Sequence, residues 1–360
     1  GFDRFYGFLD AETDQYSPEL IRDNSHVAPP GTFSTGYHLT EDLFDQAIQF
    51  IASHEATIPD SPWMTLIGLG ACHAPHQAPK ELISHYDDMF RRGWDIERSE
   101  RLERQIALGI VPSGTQLPPR NDFVEAWDEL DDITRQVATR LQAAYAAMLH
   151  HSDLHLARLV DHLELSGQLD NTVILVLSDN GASQEGGPLG FVNAMGPYNG
   201  LPESMEAKFD RIDDIGGPDT HSNFPWGWAM TANTPLRRYK QNTHGGGVRD
   251  PLVLHWPRKI THPGLRDQFC HASDIVPTLL DFVNVVAPET INGVQQKPIE
   301  GISFASTLTD RYAQTGKTTQ YFEMFGHRGL VHDGWKAVAF HPPGTPYEHD
   351  QWELFNLVDD

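Results

Sequence analysis

Asp179 and Asn180 stand side by side where an apolar run ends. That run, Thr172-Val173-Ile174-Leu175-Val176-Leu177, is unbroken and β-rich, as expected of a strand covered on both faces. In open α/β sheets, ligands sit beyond the carboxyl ends of strands. A carboxylate and an amide oxygen placed there are hard donors, suited to Ca²⁺ or Mg²⁺ rather than zinc. Asp-Asn-Gly is also good turn chemistry, so the pair alone leaves a plain strand exit open.

Two further segments carry groups that could act beside such a pair. Met64-Thr65-Leu66-Ile67-Gly68-Leu69-Gly70 reads as a second buried strand and runs into Ala71-Cys72-His73-Ala74-Pro75-His76-Gln77-Ala78-Pro79. Thr234-Pro235-Leu236-Arg237-Arg238-Tyr239-Lys240 leads to Thr243-His244 and a glycine run, followed by the short strand Leu252 to Trp256. Cys72 and His73 are neighbours, but adjacent side chains in extended chain point opposite ways, so they are not a nucleophilic pair. Among 19 histidines most are surface or structural. His151 and His155 lie four apart on a helical stretch, a spacing that can bind metal, yet no carboxylate chemistry accompanies them. They read as structural. His76 is at most a supporting neighbour of the site.

These groups need a scaffold that brings distant segments together. With 360 residues the chain can bury a large core. Apolar strands alternate with helical stretches, which predicts an α/β domain whose mostly parallel or mixed central sheet contains 64–70, 172–177 and 252–256. Thr40 is the expected N-cap of one helix, with Leu43, Ala47, Ile48 and Ile51 as its stripe. A long helix is expected from about Ile133 to Leu165, its apolar face including Val137, Leu141, Ala144, Tyr145, Met148 and Leu149. Residues 183–232 form a Gly- and Pro-rich insertion, expected at a pocket rim. Asp274 to Phe282 reads as a helix with a proline in its first turn. Short strands then follow at Thr319, Arg328, Trp335 and Trp352, with turns at Gly326 and Asp333-Gly334. The expected division is 1–290, the large domain, and 291–360, a small antiparallel subdomain.

A net charge of −24, from 50 acids and 26 bases, argues against nucleic acid or an anionic membrane as partner. The acidic run Glu125 to Asp132 reads as a solvated face. No apolar run approaches the length of a transmembrane helix. Only two cysteines, Cys72 and Cys270, are present, and both are expected as free thiols. Compartment stays open, periplasmic or secreted sites included, because the first residue is Gly1 rather than methionine.

In chain order the strings HAPHQAP, SDNGAS, TPLRRYK and GGGVRDP, with GFDRFYGFL at the start and ELFNL near the end, resemble the arylsulfatase family of the alkaline phosphatase superfamily. The resemblance runs over essentially the whole chain. It implies a sulfuric ester hydrolase that uses one Ca²⁺ and acts on a sulfated small molecule or glycan. Asp179 and Asn180 match the family's later pair of metal ligands. His73 matches the histidine that contacts the sulfate or protonates the leaving group, and Lys240 the lysine that holds a sulfate oxygen. His244 lies near the pocket by sequence and is a candidate substrate contact. The family's nucleophile is a formylglycine hydrate made in a C-x-P-S-R or S-x-P-S-R motif, and two adjacent aspartates near its N-terminus also hold the metal. No such motif, no Asp-Asp pair in an early strand and no GKWH-like string occurs in these 360 residues. The expectation is therefore a longer enzyme whose N-terminal catalytic segment lies upstream, with this chain inactive by itself. A phosphomonoester or phosphodiester hydrolase of the same superfamily, and a non-catalytic sulfate- or glycan-binding protein on the same fold, are the alternatives.

Overall fold

The structure, a computed structural model, describes residues 1–358. Two compact units interleave along the chain. Gly1–Leu102, Leu117–Gly167 and Ala182–Tyr239 make the first; Glu103–Gln116, Gln168–Gly181 and the residues from Lys240 onward make the second.

In the first unit, β1 (Tyr6–Gly7), β2 (Leu20–Arg22) and β3 (Ser25–Val27) form a small antiparallel sheet. Helices α1 (Leu39–Thr57), α2 (Lys80–His85), α3 (Trp94–Ala107) and α4 (Asp132–Leu165) follow, then the short α5 (Met195–Tyr198), α6 (Met205–Phe209) and α7 (Trp226–Ala232). The long α4 starts where Asp131 accepts a hydrogen bond from the Thr134 amide at 2.7 Å. Its buried face, including Val137, Leu141, Ala144 and Met148, packs into a core shared with Phe90, Trp94, Trp127 and Trp228. The three tryptophans meet edge to face, with ring centroids 4.8 to 5.8 Å apart. Leu149, expected on that face, is instead exposed, and Ala147 takes a buried place.

The expected cap at Thr40 moves to His38. The His38 ring accepts from the Thr40 amide at 3.2 Å, and Thr40 itself is buried inside the helix. His38 belongs to a buried histidine cluster with His151 and His155 of α4. The Arg158 guanidinium can only donate, so its 2.8 Å bond to His155 Nδ1 leaves the His155 proton on Nε2. That proton is given to His151 Nε2 at 3.0 Å. The His151 proton then sits on Nδ1, which is buried without a partner. The i, i+4 pair is thus engaged in packing, as its structural reading expected.

In the second unit, β4 (Ile174–Leu177) pairs antiparallel with β5 (Leu252–His255). Helices α8 (Gly245–Val248) and α9 (Ile275–Val283) follow, and α9 carries Pro277 in its first turn as predicted. The hairpin β6 (Thr290–Ile291) and β7 (Val294–Gln295) comes next. Four strands, β8 (Thr319–Met324), β9 (His327–His332), β10 (Trp335–Ala339) and β11 (Trp352–Asn356), build the predicted antiparallel meander. Asp333 and Gly334 turn β9 into β10 with φ of 46° and 82°, the left-handed pair that a tight hairpin needs.

Two expectations about the central sheet are corrected. Among the described residues, 64–70 belong to no strand. Their apolar residues alternate between exposed and half-buried, which is the signature of extended chain without a ladder neighbour. The 172–177 run is not covered on both faces either: Val176 and Leu177 are exposed, and β5 is its one partner among the described residues. Apolar composition reported strand propensity faithfully and two-sided cover falsely.

Burial pushes His38 down to about 4, and His151 and His76 down to about 3. Each binds its proton more weakly folded than unfolded. Their stabilising effect is therefore complete above the unfolded value near 6.5 and is lost as pH falls toward the folded values. At pH 5 each should cost about 2 kcal/mol. Hydrogen exchange of α4 amides should accelerate between pH 7 and 5 after correction for the intrinsic rate; a flat protection profile would contradict this.

Candidate active site

Gln77 of the HAPHQAP string is fully buried and ties three segments together. Its carbonyl oxygen accepts from the Gln15 amide at 2.7 Å. Its NH₂ group donates to Asp14 at 2.7 Å and to the Thr220 carbonyl at 3.0 Å. The loop at 12–15 and the loop at 217–223 are thereby held on either side of His73.

The second of those loops is set by contacts with the insertion after residue 183. Phe191 and Asn223 exchange backbone bonds of 2.9 Å, and the Ala194 amide donates to the His221 carbonyl at 3.0 Å. Gly186 allows this approach, since a Cβ there would lie 2.0 Å from the Phe224 carbonyl oxygen. The result is a cleft of about 350 Å³ lined by Glu12, His73, Ala74, Glu185, Tyr198 and Asn223. The insertion therefore does form a pocket rim.

His73 is half-exposed in this cleft. Its Nδ1 donates to the Ala74 carbonyl at 2.9 Å and lies 3.4 Å from Glu12, while Nε2 lies 3.6 Å from Glu185. Glu12 reaches His221 Nε2 at 3.4 Å with its other oxygen. Both His73 nitrogens face acceptors, the surroundings of a ring that donates protons. His76 is buried in the core, where its amide and carbonyl bond Ser222 at 2.9 and 2.8 Å. Its role is structural.

The other predicted residues lie in the second unit. Asp179 and Asn180 follow directly on β4, as predicted. Asn180 donates through Nδ2 to the Gly181 carbonyl at 3.2 Å, which leaves its amide oxygen for another partner. The β4–β5 register pairs Leu177 with Leu252, and the Ser178 amide bonds the Pro251 carbonyl at 3.4 Å. Continuing that register sets Asp179 opposite Asp250. Burial pushes the Asp250 carboxyl up to about 7, the Asp179 charge adds to the rise, and Lys336 opposes it. Like charges directly across a ladder repel. Two carboxylates and an amide oxygen match a hard divalent cation in kind, though among the described residues no three His, Cys, Asp or Glu converge as a ligand set.

Lys240 is half-buried and precedes Gln241, whose φ of 71° bends the loop. Asn242 pins the Lys240 carbonyl at 3.3 Å. His244 is buried and donates through Nε2 to Glu353 of β11 at 3.0 Å. Glu353 lies in the ELFNL string. Cys72 and Cys270 are free, as expected, and burial pushes both thiols up. Glu12, Glu185, Tyr198, Asn223 and Asp250 were not singled out from sequence. The GGGVRDP motif did contain Asp250, and the β4–β5 pairing was its only further clue.

A sequence profile described as Sulfatase matches residues 1–285, and one described as N-sulphoglucosamine sulphohydrolase, C-terminal, matches 239–360. An uncharacterised sulfatase of Schizosaccharomyces pombe is 30% identical over 299 residues, spanning 81% of this chain and 51% of its own length. An arylsulfatase of Klebsiella aerogenes is 23% identical over 325 residues, spanning 87% of this chain and 67% of its own. The chain thus spans about half to two-thirds of the length of these relatives.

Among solved structures, one in complex with its substrate D-glucosamine-2-N,6-O-disulfate superposes with a TM-score of 0.59 at 14% identity, over 99% of this chain and 69% of that one. Another, in complex with a neocarrahexaose, gives a TM-score of 0.54 at 19% identity, over 99% and 60%. These likenesses bear out the fold class read from the sequence: α/β, alkaline phosphatase-like, with a small antiparallel C-terminal sheet. The chain belongs to the sulfatase family.

If Asp179 and Asp250 repel across the ladder, Asp250→Asn should stabilise the protein by about 1 kcal/mol in chelator at pH 8.5, where both carboxylates are charged. If Ca²⁺ binds at this pair, any stabilisation it gives should be smaller in the variant than in the parent protein. Thermal melts with and without Ca²⁺ measure both, and an unchanged or lowered melting temperature in chelator would contradict the pairing.

Proposed function

We propose that this chain forms the metal- and leaving-group-binding part of a sulfuric ester hydrolase acting on a sulfated glycan or small molecule. The observation that carries the reading is the Asp179-Asn180 pair at the carboxyl end of β4, within a chain whose residues 1–285 match the sulfatase family. Relatives named arylsulfatase and N-acetylglucosamine-6-O-sulfatase support the same chemistry.

Cleaving a sulfate ester needs a nucleophile for sulfur, positive charge on the sulfuryl oxygens and a proton for the leaving oxygen. Asp179 and Asn180 would hold a divalent cation, in our reading Ca²⁺, that draws charge from the sulfuryl oxygens. Lys240 binds a sulfate oxygen through its ammonium. His73 delivers the proton to the leaving oxygen, and its nitrogens already face acceptors. His244, oriented by Glu353, is the further sulfate contact of this reading. The nucleophile comes from a formylglycine motif, which these 360 residues do not contain.

Three substitutions in a polypeptide joining this chain to such a motif test the assignment. Asp179→Ala should abolish Ca²⁺-dependent turnover of an aryl sulfate. Lys240→Ala should raise KM and lower kcat together, since it holds sulfate in the ground state and more tightly still in the transition state. His73→Ala should lower kcat by roughly 10²-fold or more, most for poor leaving groups. Normal activity and metal content in Asp179→Ala would sink the metal assignment. The 360 residues without the motif should release no sulfate at an enzymatic rate, and robust turnover by them would show that the nucleophile is misplaced.

A further inference from the structure

Arg238 lies in left-handed backbone, with a φ of 70°. A residue with a Cβ is disfavoured there, and such a conformation persists only where its surroundings over-determine it. Here two carboxamides hold both backbone groups of Arg238. Its amide donates to Asn121 Oδ1 at 3.3 Å, and its carbonyl accepts from Asn233 Nδ2 at 3.0 Å. Its guanidinium also bonds Asp122 at 3.1 Å. Tyr239, next in the chain, is buried in the core of the first unit, and Lys240 follows it directly.

Asn233 does more than grip Arg238. Its Oδ1 accepts from the Ala182 amide at 2.9 Å. That amide can only donate and the Arg238 carbonyl can only accept, so one orientation of the carboxamide satisfies both. The Asn233 backbone is engaged as well: its amide donates to the Ala229 carbonyl at 3.2 Å where α7 ends, and its carbonyl accepts from the Leu236 amide at 2.7 Å. Ala182 lies two residues beyond Asn180, and Arg238 two before Lys240. One side chain therefore joins the SDNGAS and TPLRRYK strings.

We propose that Asn233 is a positioning residue for Lys240: by holding Arg238 left-handed, it aims the lysine ammonium at the sulfate. The inference rests on the sulfatase reading, which assigns Lys240 to a sulfate oxygen. It adds the residue that sets where that lysine goes.

The test has two readouts. In the 360-residue protein labelled with ¹³C and ¹⁵N, backbone chemical shifts report the sign of the Arg238 φ. The parent should show the left-handed value, and Asn233→Ala should lose it. Asn233→Asp keeps an acceptor for Ala182 but sets a carboxylate oxygen against the Arg238 carbonyl. It should lose the left-handed value too, and it decides the matter if the alanine variant does not fold. In the polypeptide carrying the formylglycine motif, both variants should lower kcat/KM by roughly 10- to 100-fold, as expected when a binding group is misplaced by about 1 Å. KM should rise and kcat fall, the pattern of Lys240→Ala. In a Lys240→Ala background, Asn233→Ala should change kcat/KM by less than about twofold, because it acts through the lysine. Adding Arg238→Gly to Asn233→Ala should restore much of the loss, since glycine takes a left-handed φ at no steric cost. An asparagine that served stability alone would not be rescued in this way. A left-handed Arg238 in both variants, losses that add to those of Lys240→Ala, or no rescue by glycine would overturn the proposal. Parent-like sulfate release by Asn233→Ala would remove the positioning role and keep the hydrolase. No sulfate release by the parent polypeptide would remove the hydrolase, and with it the sulfate role of Lys240, leaving only the clamp on Arg238.

Discussion

One buried side chain, the carboxamide of Gln77, holds the first unit's cleft in shape. It bonds the neighbours Asp14 and Gln15 on one loop and Thr220 on another, far apart in sequence, from a position with no solvent access. A buried amide with satisfied donors and acceptor is rigid because every alternative leaves a polar group unpaired. Glu12 and His221 sit one or two residues from those anchors, so their placement beside His73 follows from Gln77. An apolar residue there would strand Asp14 and the Gln15 amide, and the two walls would have no common reference.

Charge is managed differently in the two units. The protein is strongly acidic, yet its proposed substrate is an anion. In the first unit, burial keeps His38, His76 and His151 neutral, so they add no positive field. In the second, the Asp179 charge acts on Asp250 just beyond the end of the β4–β5 ladder, and Lys336 is pushed down to about 8 by burial and by Arg249. An acidic pair of this kind is costly alone and becomes an asset when a cation sits on it. In the proposed reading, the positive potential that a sulfate needs comes from a bound ion and Lys240 rather than from the surface as a whole.

Much of this was legible in the sequence because it was local. Periodicity gave α4 within a residue of its ends, Pro277 marked the first turn of α9, and Asp333-Gly334 fixed the β9–β10 hairpin. The Asp179-Asn180 pair lies just past the point where β4 stops, as its apolar run indicated. The failures were questions of partners. Residues 64–70 and 172–177 have strand composition, but composition cannot say whether a neighbour lies alongside. Thr40 is a good capping residue by type, but the helix starts at Leu39, and His38 caps it by accepting from the Thr40 amide. Glu12, Glu185 and Asn223 meet His73 only through folding, so no spacing rule could have drawn them together.

The central claim is hydrolysis by attack at sulfur, with His73 protonating the departing alcohol. It is tested most directly by running the reaction of the motif-bearing polypeptide in ¹⁸O-labelled water and weighing both products by mass spectrometry. The account predicts label in the released sulfate and none in the alcohol, since the S–O bond is the one that breaks. Label in the alcohol, or no release of sulfate at all, would contradict it.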